Sequence, residues 1–463
     1  MTAVHPGTAY LDGSPYQGYL YGYPHKTAYR PLRPRPALRD VWSAQRDGPR
    51  SLYLHLPFCE MRCGFCNLFT RANPPAGQVR AYLDQLRRQA ARVSVALDGL
   101  GRTARVTIGG GTPTYLDAAE LAELFDIVDL FLPAGGAGTV PIAVETSPAT
   151  ATPDRLAVLV RRGTTRVSIG VQSFLDSEAH TAGRPQRRAE VDRALDAIRA
   201  HPGLELNIDL IYGIPGQTAT TWEYSLTAAL DRTPEEVYLY PLYVRPLTGL
   251  ARRTSAGSPD RNPDSDPNSD WDRDWDAQRQ ALYHQGADRL RAAGYQQLSM
   301  RHFRRRDLPA DPAGADYSCQ ADGLVGLGCG ARSYTTTLHY SFDYAVGVSQ
   351  VRAIVDDYLR RPASDFDHAE IGFRLGPDEQ RRRWLITSLL RADGLDVAGH
   401  VARFGRPPID DFPQLSTLAD RGWLAVTGDR LVLTSAGLAR SDLIGPWLVS
   451  APVRAAMTAR AVR

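Results

Sequence analysis

The chain lacks any apolar run approaching the ~20 residues that a membrane-spanning helix needs, so no membrane association is expected. Its opening, Met-Thr-Ala-Val-His-Pro-Gly, has no basic segment leading into an apolar core, and a secretory leader is not expected either. An excess of one charge is also missing. Formal net charge is +3 over 463 residues, which makes neither a nucleic acid nor an acidic surface a necessary partner. Cysteine is scarce, with five in all and three of them in one short run. That usage fits a reducing compartment and a cytoplasmic protein. What the chain does have, 43% hydrophobic and 23% charged residues, suits a large soluble enzyme of two or three domains.

Cys59, Cys63 and Cys66 sit in Tyr53-Leu-His-Leu-Pro-Phe-Cys-Glu-Met-Arg-Cys-Gly-Phe-Cys66. Three thiolates in one loop can hold three corners of a four-iron cluster and leave one iron open. An Fe–S protein needs that opening to bind and reduce a substrate, whereas a pure electron carrier is closed by four cysteines. The alternative for clustered intracellular cysteines is structural zinc, ahead of a disulfide. Zinc would need a fourth ligand, for which His55 is the only local candidate, and it favours paired C-x2-4-C elements over this C-x3-C-x2-C run. The run resembles the signature of radical S-adenosylmethionine (SAM) enzymes. Cys319 and Cys329 read as packing residues or groups near the cluster, not as a disulfide.

Residues 1–49 are rich in tyrosine, proline and glycine, centred on Pro15-Tyr-Gln-Gly-Tyr-Leu-Tyr-Gly-Tyr-Pro24-His-Lys-Thr-Ala-Tyr-Arg30. Proline and glycine break helical periodicity, so this stretch reads as an extended arm. Its aromatics are too many for a disordered tail and predict packing across the catalytic domain. From residue 50, strands are predicted at Ser51–Leu56, Arg105–Gly109, Pro141–Glu145, Thr165–Val171, Glu205–Tyr212 and Glu236–Tyr243. Helices are predicted at Val79–Ala96, Ala118–Phe131, Arg188–Ala200 and Thr218–Leu230. Six strand–helix units predict an α/β fold, a parallel, right-handed, partial (β/α)6 barrel of the TIM type over residues 50–252. Chemistry is then expected at the C-terminal strand ends.

Residues 253–275 read as a polar, solvated loop. Its run Asp264-Ser-Asp266-Pro-Asn268-Ser-Asp270 echoes a calcium loop but lacks the turn glycine and the closing glutamate. A barrel extension, 276–364, opens on a long helix predicted at Asp276–Ala293. Residues 365–463 read as a small C-terminal domain, with helices predicted at Glu379–Arg391 and Asp411–Arg421 and a hairpin turning at Gly428-Asp429. Helices before a hairpin resemble a winged helix. Its recognition-helix candidate, Gln414–Arg421, is not basic, so a structural or capping role is expected instead of DNA binding.

Gly109-Gly-Gly-Thr112-Pro-Thr114 follows a strand directly, and glycines there let backbone amides approach an amino-acid moiety. Glu145 ends its strand, and a carboxylate at a barrel mouth calls for a cationic partner. Gln172, Arg184 and Asp209 fall at or after later strand ends. Each alone reads as an ordinary polar residue; together they make a polar ring suited to a ribose and a zwitterion. Tyr240, Tyr243, Arg245 and Arg301 fit either a substrate pocket or a core.

The segments Tyr53-x-His55-x-Pro-Phe-Cys59, Gly109-Gly-Gly-Thr-Pro-Thr, Ser168-Ile-Gly-Val-Gln-Ser-Phe, Asp209-Leu-Ile-Tyr-Gly-Ile-Pro-Gly, Gly294-Tyr295 and Gly326-Leu-Gly-Cys-Gly330 occur in that order. Over residues 50–445 the chain resembles the oxygen-independent coproporphyrinogen III oxidase-like (HemN-like) radical SAM family. The resemblance implies a [4Fe-4S] cluster on Cys59, Cys63 and Cys66 and two molecules of SAM. Phe65, Gly111, Thr112, Gln172, Arg184 and Asp209 would hold the cluster-bound SAM. Tyr53, Gly110, Glu145 and Arg332 would line the second SAM or a substrate site, and Tyr53, His55 and Glu145 are the expected catalytic residues. His55 fits two roles equally, a hydrogen bond to the cluster region or a place in the core.

By the same resemblance, the family's oxidases carry a further cysteine two residues after the triad. Here that position is Leu68, which argues against porphyrinogen decarboxylation. The family also holds haem chaperones, haem-degrading methyltransferases and class C methyltransferases of natural-product biosynthesis. The expectation is therefore a class C enzyme. In such enzymes a 5′-deoxyadenosyl radical from one SAM abstracts hydrogen from the methyl of the other. The SAM-derived methylene then adds to an sp² carbon of an unsaturated small molecule, giving methylation or a cyclopropane. A porphyrin- or haem-directed radical SAM enzyme and a haem chaperone are the alternatives. Expected partners are the unsaturated substrate, an electron donor such as flavodoxin or ferredoxin and, for ring closure, a partner methyltransferase.

Overall fold

The computed structural model describes residues 7–45, 48–133, 136, 138–256, 270–309 and 323–459. The predicted alternation of strands and helices builds one large sheet. Its strands in chain order are β1 Arg30–Pro31, β2 Arg50–Leu56, β3 Phe58–Cys59, β4 Arg71–Ala72, β5 Thr103–Gly110, β6 Ile142–Thr146, β7 Arg166–Gln172, β8 Glu205–Tyr212 and β9 Glu236–Pro241. Then come β10 Tyr295–Gln297, β11 His302–Arg305, β12 Leu324–Leu327, β13 Arg332–Tyr334, β14 Leu338–Ser341 and β15 Ile371–Arg374. Strands β3 and β4 pair only with each other; the other thirteen run in the order β1-β15-β14-β13-β12-β2-β5-β6-β7-β8-β9-β11-β10. The six neighbours from β2 to β9 are all parallel, as the repeated units predict, and β12 joins β2 in the same sense. Beyond β12 and β9 the pairing turns antiparallel.

Side-chain alternation assigns the two faces of this sheet. Leu52, Leu54, Val106, Ile108, Val144, Val167, Ile169, Leu206, Ile208, Val237 and Leu239 are buried in one continuous core. Helices α1 Leu38–Ser43, α2 Gln78–Leu97, α3 Ala118–Asp129, α4 Pro153–Arg161, α5 Asp176–Thr181, α6 Arg188–Arg199 and α7 Ala219–Leu230 accompany them. Each such side chain contributes roughly 1.5–3 kcal/mol, so the outer face holds the barrel together. The intervening positions are Tyr53, Thr107, Glu145, Arg166, Ser168, Asn207, Asp209, Glu236 and Tyr238. A barrel interior is usually filled by branched apolar side chains; this one is polar and free to carry chemistry.

Several boundaries differ from the sequence reading. The arm contains helix α1, and β1 pairs with β15, so the arm supplies the outermost strand of the main sheet. Strand β15, read as C-terminal domain, pairs with β14 and belongs to that sheet too. The stretch read as a polar loop is entered from both sides by helices, α8 Gly249–Ala256 and α9 Asp270–Ala292. The remainder of the loop, with most of its calcium-like run, lies outside the described residues, as does Cys319.

A second core gathers Leu385, Leu389, Leu415, Leu418, Leu443 and Trp447 around a three-stranded sheet of β16 Leu395–Asp396, β17 Leu424–Thr427 and β18 Arg430–Leu433. The β17–β18 hairpin turns at Gly428-Asp429 as predicted, with Gly428 at φ +60°. The helix expected over Asp411–Arg421 is broken into Pro408–Asp411 and Leu415–Asp420, because Pro413 has no amide hydrogen to donate. Leu11, Tyr23 and Ala28 of the arm are buried in this second core, not in the barrel's. Among the described residues no helix is long and apolar enough to cross a membrane.

Candidate functional site

Strand β2 runs directly into the cysteine loop, which is clasped from several sides by backbone hydrogen bonds. Phe58 O accepts from Thr112 N (2.8 Å), Pro57 O from Arg71 N (2.6 Å) and Cys59 O from Asn73 N (3.3 Å). Gly64 N donates to Gly183 O (2.9 Å), and Gly64 O accepts from Leu250 N (2.7 Å). Loops following β5, β7 and β9 therefore hold one short segment. The thiols are free, and each faces a different side chain: Thr112 Oγ1 lies 3.7 Å from Cys59 Sγ, Arg184 Nη1 3.9 Å from Cys63 Sγ and Thr70 Oγ1 3.9 Å from Cys66 Sγ. Burial pushes the Cys59 thiol up to about 12, against the Thr112 hydroxyl, and raises Cys66 as well. Thiols in such a place ionise when iron binds them. Three sulfurs on one loop, each beside a polar group, fit three corners of an Fe–S cluster.

The glycine turn after β5 is required by its neighbours. A Cβ on Gly109 would lie 2.7 Å from the Glu145 carboxyl, and one on Gly111 would lie 2.5 Å from Phe58 O. Gly110, at φ +115°, passes under the His55 ring, where a Cβ would come within 2.6 Å. Its amide was expected to face a ligand; it donates instead to Glu145 Oε2 at 3.1 Å. His55 lies deep in the core. Its Nε2 meets Phe69 O, an acceptor only, at 3.0 Å, so Nε2 carries the hydrogen and Nδ1 accepts from the Tyr53 hydroxyl at 3.1 Å. Burial lowers His55 to about 4, keeping it neutral. Both nitrogens are thus engaged away from the thiols, which matches the core role and makes His55 a positioning residue for Tyr53.

Gln172 ends β7 in the left-handed region at φ +68°, at an irregularity where β7 shifts register against β8. Such a conformation costs about 1–3 kcal/mol in a residue with a side chain and re-aims it. A Cβ on Gly170 would sit 2.7 Å from Gln172 Nε2 and 3.3 Å from Arg184 Nη1, so both side chains converge over that glycine. Arg184 is steadied by Gln186 Oε1 at 2.8 Å. Burial raises Asp209 to about 7, opposed by the Asn207 amide at 2.8 Å and by Arg166. Glu145 is raised by burial too, opposed by the Gly110 amide and Arg166. Sequence reasoning missed Arg166. It is held by Glu236 at 2.7 Å and donates to Ser168 Oγ at 2.6 Å; its only signal was its place in register with Ser168 and Gly170 on the inner face. Phe65 packs against a small buried cluster that includes Ile211, Ile214 and Leu250.

The arm crosses the C-terminal end of the barrel. Arg245 donates to Gln17 O (3.4 Å), Arg301 lies over the Tyr19 ring (3.9 Å) and Arg332 donates to the Tyr21 hydroxyl (2.6 Å). Tyr19 exposes 43% of its surface, and burial of its phenol, with Asp442 and Asp209 acting against Arg301, raises its pKa. Tyr240 stacks on Tyr238, which stacks on His302 at 4.4 Å. Tyr243 and Arg301, expected in a pocket or core, both bond Asp442 of the C-terminal domain, a residue with no readable motif. Cys329 is a packing residue, buried with its sulfur 3.8 Å from the Tyr82 hydroxyl.

Comparison with known proteins adds the family. A model described as the Radical SAM superfamily matches residues 53–228. The haem chaperone HemW of Bacillus subtilis is 25% identical over 86% of this chain and 99% of its own length. The oxygen-independent coproporphyrinogen III oxidase of Cereibacter sphaeroides is 28% identical over 86% of each chain. HemW of Escherichia coli is 30% identical over 62% of this chain and 71% of its own. Among solved structures, the radical SAM coproporphyrinogen III oxidase (HemN) of E. coli shares the fold, with a TM-score of 0.77 over 93% of this chain and 97% of its own at 24% identity. These relatives overturn the expectation of methyl or methylene transfer to a natural product, and with it the cyclopropane outcome. The motifs that carried the resemblance are the ones it assigns to the cluster and SAM, and such residues do not specify the group transferred.

Proposed function

The chain belongs to the HemN-like family of radical SAM proteins, and on that premise we propose that it is a porphyrin- or haem-directed radical SAM enzyme. The radical SAM part of the reading is supported by the convergence of Gln172 and Arg184 over Gly170 beside Cys63, with Asp209 opposite Gly170 on the neighbouring strand. The tetrapyrrole part is supported by the likeness to haem chaperones and coproporphyrinogen III oxidases along most of the chain. Cys59, Cys63 and Cys66 would hold a [4Fe-4S] cluster, and Phe65, Gly111 and Thr112 would complete the bed for SAM. When bound, the cluster and SAM supply an electron and a 5′-deoxyadenosyl radical. The protein's own share is placement and exclusion of water. Asp209 offers a carboxyl to ribose hydroxyls, and Arg184 offers a guanidinium to a carboxylate. The arm lays Tyr19 and Tyr21 against Arg301 and Arg332 of the barrel mouth, chemistry that suits a planar tetrapyrrole bearing carboxylates.

The reading extends to a second SAM near Tyr53 and Glu145. Among the described residues Glu145 forms no ion pair, and a buried carboxylate of this kind is satisfied by an ammonium group. Electrons come from an external one-electron donor such as flavodoxin or ferredoxin. A second reading, a haem chaperone, is favoured by Leu68 at the position where the family's oxidases carry cysteine. The test is anaerobic reconstitution of the full chain with iron, sulfide, reductant and SAM, with and without coproporphyrinogen III, alongside a haem titration. Formation of 5′-deoxyadenosine stimulated by the porphyrinogen is expected. Haem binding without SAM cleavage supports the chaperone, and neither SAM cleavage nor tetrapyrrole binding overturns both readings.

A further inference from the structure

Of the 54 basic side chains, 53 are arginine; Lys26 is the only lysine in the chain. It lies on the arm where the arm crosses the barrel mouth. Its Nζ stands 3.2 Å from the centre of the Tyr344 ring, and the Tyr344 hydroxyl donates to Asn67 O at 3.0 Å, next to Cys66. Lys26 is therefore tethered, through one ring, to the cysteine loop.

Two further cations share this mouth. Arg332 lies 4.7 Å from the Tyr21 ring and bonds its hydroxyl, and Arg245 lies 4.2 Å from the Tyr243 ring. Among the described residues none of Lys26, Arg245 and Arg332 forms an ion pair with a carboxylate, whereas Arg166, Arg301 and Arg304 deeper in the barrel wall all do. The three rest on phenol rings and a carbonyl, which stabilise a partly buried cation less than a counter-ion does. Burial and then Arg332 pull Lys26 well below the ordinary lysine range. Burial followed by Lys26, Arg332 and Arg245 holds His25 down to about 3. These three cations thus stand together at the mouth with no carboxylate bonded to them among the described residues.

Resting on the tetrapyrrole reading, we infer that Lys26 and Arg332 form a carboxylate subsite that the arm brings to the substrate, with Arg245 flanking it. Lys26 brings a point charge to the task beside the guanidinium of Arg332. Its compact ammonium fits above the Tyr344 ring, and a substrate carboxylate would supply the counter-ion that the ring does not. The same chemistry is offered by the carboxylate of a second SAM, and the experiment separates the two.

Because the chain has one lysine, acylation with acetic anhydride at neutral pH followed by mass spectrometry reports on this position directly. The reconstituted full chain is labelled alone, with coproporphyrin III, with a cationic tetrakis(N-methylpyridyl)porphyrin, and with SAM, while porphyrin fluorescence reads binding in the same samples. Expected is at least about tenfold protection of Lys26 by coproporphyrin III, none by the cationic porphyrin or SAM, and about tenfold weaker coproporphyrin binding in Lys26→Met. Coproporphyrin that binds without protecting Lys26 overturns the subsite and leaves the proposed function standing. Protection by SAM alone assigns the carboxylate to the cofactor and overturns the substrate assignment. Absence of porphyrin binding overturns the subsite together with the reading it rests on.

Discussion

At Asp209 and Glu145 one cause acts on two carboxyls: a polar lumen that is still poor in water. Asp209 is raised to about 7, against ~4 for an ordinary aspartate. In the empty protein the folded chain keeps a proton between those values that the unfolded chain has lost. Its stability contribution therefore falls as pH rises through that window. Asp209→Asn should raise the melting temperature of the cluster-free protein at pH 8 by about 2–4 °C while abolishing SAM cleavage; a variant melting at or below wild type would refute this. His55 has the opposite sign. Lowered to about 4, it favours the fold above the ordinary histidine value and loses that advantage as pH falls from ~6.5 to ~4. His55→Gln should flatten the decline of melting temperature with acid over that range, and an unchanged slope would place its titration elsewhere. Gly110→Ala puts a Cβ into the His55 ring at φ +115° and should cost at least about 1–3 kcal/mol in urea unfolding.

Among the elements, the arm departs most from its composition. Its tyrosines are not spread over the barrel alone. Tyr23 is fully buried in the C-terminal core, where its hydroxyl bonds Glu379 and lies 3.1 Å from Ser450 Oγ, and β1 adds to the sheet edge at β15. On either side of Tyr23, Gln17, Tyr19, Tyr21 and Lys26 meet the barrel mouth. Tyr23→Ala removes a large buried ring and should cost about 3–5 kcal/mol locally. It should also expose the arm to limited proteolysis before the barrel unfolds. Cleavage no faster than in wild type would mean that β1 alone secures it.

Across the whole molecule, the barrel and the C-terminal domain are joined at Arg301 and Asp442, whose side chains are 4% and 1% exposed. Tyr243 bonds the same carboxylate, and Tyr19 lies beneath the guanidinium, so barrel, arm and C-terminal domain meet at one buried charge pair. Removing one partner of such a pair strands the other charge, which costs about 3–5 kcal/mol. Asp442→Asn should lower the urea midpoint accordingly, whereas Arg301→Met with Asp442→Leu should recover much of the loss. A single variant as stable as wild type would show that the domains are held elsewhere.

The cysteine triad and the six parallel strands were legible in the sequence, because each is written in local spacing: the triad within one loop, the strands in a repeated strand–loop–helix unit. Gln172, Arg184 and Asp209 were singled out there, and the fold gathers them around Gly170. Local periodicity also set which face of each strand is apolar. Three things were decided only by the assembled chain: the partner of the Gly110 amide, the tautomer of His55, and the meeting of the arm with Arg301, Arg332 and Tyr344. Those depend on contacts between segments tens to hundreds of residues apart, fixed by packing and burial, for which the order of residues along the chain carries no local pattern.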